Sequence, residues 1–144
     1  MDVQLVKQKN LLCEAERICT EKGLSLTDVR KRVLELLLVA DGPVKAYDLL
    51  LKLKPGKIAQ PPTIYRALDF LVQAGFVHKI EALSAFTPCL HMRADGNVEF
   101  FICEVCGSVD ERHLKTKRNN WPGGFLASRS VVEHYGRCKQ CVQA

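Results

Sequence analysis

Two pairs of cysteines, Cys103–Cys106 and Cys138–Cys141, stand 31 residues apart in the chain. Two thiols separated by two residues on a tight turn can both face one tetrahedral metal ion, and the turn's amides stabilise their thiolates. Two such turns make a four-cysteine zinc site. Protein fills every coordination position, so the site is structural rather than catalytic. A redox Cys-x-x-Cys occurs once, between a strand and a helix. The repetition here favours zinc over a thiol oxidoreductase, and no enzymatic activity is expected.

Three cysteines remain. Cys13 and Cys19 fall in an N-terminal helical stretch, where a thiol serves as a small core hydrophobe. His113 and His134 are expected to be solvated or hydrogen-bonded. Cys89 lies in "AFTPCLHMR", beside His91, and His78 precedes it by one hairpin. On a strand, Cys89 and His91 would share one face, because the side-chain period is two. With His78 across the hairpin and a carboxylate, they form a mixed N/S/O set. Such a set binds zinc less tightly than four thiolates, and with more pH dependence. The other reading, two surface histidines and a buried cysteine, has equal weight.

The rest of the chain must position these groups. Its composition, 47% hydrophobic and 26% charged, is that of a globular protein. No apolar run approaches the ~18 residues of a membrane span. The opening residues lack the apolar core of a signal peptide, so a cytoplasmic location is expected. There, paired cysteines indicate metal rather than disulfides. A net charge of +5 permits nucleic-acid binding without requiring it.

Residues 4–22 predict a helix ended by Gly23. Thr27 caps a second, with Val29, Val33, Leu36 and Leu37 at helical spacing. A third spans about 46–53, and "KPGKIAQPP" is a loop. The fourth, "PTIYRALDFLVQAG", carries an apolar stripe of Ile64, Leu68, Leu71 and Val72. Thr63, Arg66, Asp69 and Gln73 face the other way, with Tyr65 at the boundary. "FVHKIE" and "FTPCL" then read as a hairpin. Helices followed by a polar-faced helix and a hairpin suggest a winged helix-turn-helix, and a small helical bundle fits the pattern equally well. Beyond it, "VEFFIC", "SVDERH" and "SRSVVEHYG" are strand candidates around the cysteine turns. The reading is α+β: a winged-helix domain over 1–84 and a zinc-binding domain over 85–144.

"TDVRKRVLELL", "TIYRALDFLVQAGFVHKIE", "FFICEVCGSVDE" and "EHYGRCKQC" resemble the ferric uptake regulator family of metal-responsive repressors, its zinc-sensing group above all. The likeness covers roughly residues 10–141. It implies a homodimer with a winged-helix DNA-binding domain and an α/β dimerisation domain. It also implies two zinc ions per subunit. One is structural, at Cys103, Cys106, Cys138 and Cys141. The other is regulatory, at the hinge. His78, Cys89 and Glu111 match the regulatory ligands. The family's usual third histidine falls on Gly96, so His91 takes that role here, with Asp95 or a water as alternatives. Arg129 stands where a further metal site would need a histidine.

A thiolate at Cys89 favours zinc over iron or manganese. The function so implied is zinc-dependent repression of zinc-uptake genes from palindromic operators. Sensing of iron, manganese or peroxide, or a zinc-stabilised protein-interaction module, are the alternatives. Arg66 suits a guanine edge, Tyr65 a thymine methyl or a phosphate, and Thr63 a phosphate. Lys31, Arg32, Lys45 and Lys57 suit the DNA backbone.

Overall fold

α1 (Val3–Lys22) ends where Gly23 takes φ +67°, a left-handed conformation that glycine adopts without a Cβ clash. The structure, a computed structural model, describes residues 3–53, 60–92, 97–114, 121–128 and 130–143. Lys57, Asp95, Gly96 and Arg129 lie outside them. Its contacts divide the chain into two units, Met1–Cys89 and Leu90–Ala144.

In the first unit, α2 (Asp28–Val39) starts at Thr27, whose hydroxyl accepts the Arg30 amide at 3.4 Å. Asp28 in its first turn complements the helix dipole. α3 (Ala46–Leu53) buries Leu49 and Leu53. α4 (Pro61–Gln73) opens on two prolines, which suit a first turn whose amides have no helical partner. It buries Ile64, Ala67, Leu68 and Leu71. Burial of each large side chain contributes roughly 1.5–3 kcal/mol. Val72, read as part of the stripe, is only half-buried, and Ala67 takes its place against the core. Gly75 closes the helix at φ +85°, and the Phe76 amide returns to the Leu71 carbonyl at 2.9 Å.

β1 (Val77–Ile80) and β2 (Ala85–Pro88) then pair antiparallel, with His78 opposite Thr87. Val44 bridges Phe86 from outside, each amide donating to the other's carbonyl at 2.8 Å. The hairpin thereby ties to the segment before α3. Three helices, the polar-faced α4 and this hairpin make a winged helix-turn-helix. β2 pairs with β1, which keeps residues 85–88 in the first unit.

The strand ends earlier than "FTPCL" suggested. Pro88 has no amide for the ladder. The next amide, that of Cys89, donates to the Phe76 carbonyl at 2.7 Å. Cys89 and His91 therefore follow the strand rather than sharing one of its faces.

The second unit is a three-stranded sheet in the order β4–β3–β5. β3 (Val98–Cys103) is central, antiparallel to β4 (Val109–His113) and parallel to β5 (Val131–Gly136). Val98, Phe100 and Ile102 are buried on one face at period two. A single turn of helix, α5 (Lys139–Val142), follows Cys138.

Candidate metal centre

The sheet topology delivers both cysteine pairs to one place. Cys103 ends β3, and the chain turns back through Gly107, at φ +75°, into β4. The Gly107 amide donates to the Cys103 carbonyl at 3.0 Å, and the Cys103 amide to that of Ser108 at 2.9 Å. β5 runs parallel to β3 with Gly136 beside Cys103, so its exit brings Cys138 to the same end. The Glu104 amide holds the Gly136 carbonyl at 2.8 Å.

The four sulfurs lie within 4.8 Å of one another. Cys106 and Cys138 are 3.7 Å apart, close to the about 3.8 Å edge of a tetrahedron with zinc–sulfur bonds of 2.3 Å. The Cys106 amide points at the Cys103 sulfur at 3.5 Å. That contact, with further amides, draws the Cys103 thiol down to about 6. The Cys141 amide likewise lowers Cys138. Cys141 is pushed up to about 12, first by its contact with Cys138. Four clustered thiols cannot all ionise without a cation. The donor set fits zinc: four soft ligands in tetrahedral spacing, with no open position.

The other expected ligands belong to different units. In the first, His78 is half-buried on β1 and Cys89 is buried just past β2. In the second, Glu111 lies on β4 opposite Phe100, with its side chain only 4% exposed. One oxygen, Oε2, accepts the Leu90 amide at 2.8 Å and meets His91 Nδ1 at 2.6 Å. Burial raises the Glu111 carboxyl, and the His91 contact works against that rise. His91 also stacks on His113, with ring centres 6.2 Å apart.

Thr63, Tyr65 and Arg66, the DNA-contacting residues expected on α4, are all exposed. Tyr65 is 56% exposed, which argues against core packing. It borders a groove of about 500 Å³ together with Lys45, Tyr47, Gln73 and Lys79. Tyr47 and Lys79 escaped the sequence reading. Tyr47 lay open to discovery, because burial of Leu49 and Leu53 turns it outward on α3. Lys79 is the outward residue of a four-residue strand whose end positions, Val77 and Ile80, are buried.

Residues 21–121 match the ferric uptake regulator family. The zinc uptake regulation protein of Escherichia coli (strain K12) is 38% identical over 142 residues, covering 94% of this chain and 83% of that protein. The solved structure of a zinc uptake regulator complexed with zinc and DNA is 36% identical, with a TM-score of 0.77, over 94% of this chain and 95% of that one. The crystal structure of holo XcZur is 38% identical, with a TM-score of 0.78, over 94% and 99%. This chain is a member of the ferric uptake regulator family.

Proposed function

We propose that the protein is a zinc-responsive repressor that binds palindromic operator DNA as a zinc-loaded homodimer and controls zinc-uptake genes. The observation that carries this reading is the pairing of a four-cysteine cluster with a separate buried thiol, Cys89, in a chain built like a DNA-bound zinc uptake regulator. A sensor of manganese or iron has little use for a thiolate ligand, whereas zinc favours one.

Cys103, Cys106, Cys138 and Cys141 hold a structural zinc that ties the ends of β3 and β5. His78, Cys89, His91 and Glu111 form the regulatory set. Zinc bound by these residues would supply a multivalent cation that favours one arrangement of the dimer by its difference in affinity, and operator binding would then tighten zinc binding in return.

On the DNA side, Arg66 reads a guanine edge, Tyr65 contacts a thymine methyl or a phosphate, and Thr63 holds a phosphate. Lys45, Tyr47 and Lys79 extend that surface around the groove beside α4.

Zinc stoichiometry tests this reading. The expected result is two zinc ions per subunit, one removed readily by a chelator and one retained. A single tightly held ion, with no second site of any affinity, would contradict it.

A further inference from the structure

Arg30 carries a positive charge in the first turn of α2, where the helix dipole disfavours one. Its side chain is committed elsewhere. One guanidinium nitrogen donates to the Ser25 carbonyl at 2.7 Å, in the segment that joins α1 to α2. The guanidinium carbon sits 3.9 Å from the centre of the Phe70 ring. Phe70 is on α4, one helical turn beyond Arg66. A planar cation laid on an aromatic face resists both tilt and rotation of that ring.

We infer that Arg30 is a positioning residue for DNA recognition: it clamps Phe70 and so fixes the rotation of α4, and with it the aim of Arg66. The inference rests on the reading of α4 as the recognition helix. Arg30 reaches DNA through Phe70 rather than touching it. α2, which buries Val33, Leu34 and Leu37, packs against α4. The Arg30–Phe70 stack adds a directional contact to that apolar packing, away from the buried stripe of α4.

The test measures binding of the full-length, zinc-loaded protein to an inverted-repeat operator over a range of salt concentrations. Arg30→Met should weaken binding about tenfold and leave the salt slope unchanged. Arg30→Lys should behave like Arg30→Met, because an ammonium cannot lie flat on the ring and still reach the Ser25 carbonyl. Phe70→Leu should give the same loss, and the Arg30→Met/Phe70→Leu pair should cost no more than either alone. Phe70→Tyr, which keeps the ring, should bind like the parent. Zinc content and dimer mass, measured on each variant, verify folding.

A fall of about 1 in the salt slope of Arg30→Met, with Phe70→Leu binding like the parent, would make Arg30 a phosphate contact and overturn the inference. So would rescue by Arg30→Lys, or unchanged affinity in Arg30→Met with only a lower melting temperature. If the parent itself does not bind the operator, the recognition-helix reading fails instead.

Discussion

Glu111 Oε2 lies 2.6 Å from His91 Nδ1 and takes the amide of Leu90 at 2.8 Å. These two contacts join β4 to the first residues of the second unit and hold a buried carboxyl in a defined orientation. The burial has a cost in the metal-free protein. Its pKa is raised on folding, so its favourable contribution is present below the ordinary carboxylate range and is lost as pH rises through the raised value. At pH 7 Glu111 therefore destabilises the metal-free fold. Glu111→Gln is expected to raise the melting temperature of the zinc-stripped protein at pH 7 and to shrink that gain at pH 4. It is also expected to weaken regulatory zinc, measured by chelator competition, by about tenfold or more.

Cys89→Ser should separate the two zinc sites. The variant is expected to keep one tightly held zinc and its dimer mass, and to lose zinc-dependent DNA binding. An unfolded variant in circular dichroism would instead give Cys89 a structural role.

The four-cysteine site should fail on acidification. The Cys103 thiol is lowered to about 6, so its contribution is present above the ordinary thiol value and is lost as pH falls through about 6. Release of the retained zinc to a chelator is expected to accelerate as pH drops from 7 to 5. Cys106→Ser should release it at pH 7 and unfold the second unit, since structural zinc and folding are thermodynamically one event in such modules.

Surface residues around α4 should divide by the kind of contact they make. Arg66→Ala is expected to cost about 1–3 kcal/mol in operator affinity and to relax preference at one base pair. Lys79→Ala should weaken binding to all sequences alike and lower the salt slope by about 1. Quantitative gel shifts on matched and mismatched operators distinguish the two patterns.

Much of this was legible in the sequence because strong local rules agree with the fold. Gly23 and Gly75 stop helices where left-handed backbone is needed, and Thr27 caps α2. The period of α4 foretold its exposed face, although Ala67, small enough to look neutral, packs into the core where Val72 was expected. The cysteine spacing pointed to the four thiols that the fold brings together, a set that could hold a metal ion. The environment of Cys89 was less legible. Pro88 ends the strand by lacking an amide, and the hydrogen bond that places Cys89 runs back to Phe76, thirteen residues away in the chain. The same holds for His91, whose partner Glu111 comes from β4, twenty residues further along the chain. Tyr47 joins Tyr65 at one groove only because α3 and α4 pack together, a tertiary fact that no local pattern carries.

Zinc titration of operator binding shows whether a second zinc ion governs DNA recognition. Protein carrying only its tightly held zinc is mixed with an inverted-repeat operator, and fluorescence anisotropy is followed as zinc is added. Little specific binding is expected at the start, and saturation once one further zinc per subunit is bound, with Cys89→Ser unresponsive. Equal affinity with and without the added zinc would contradict it.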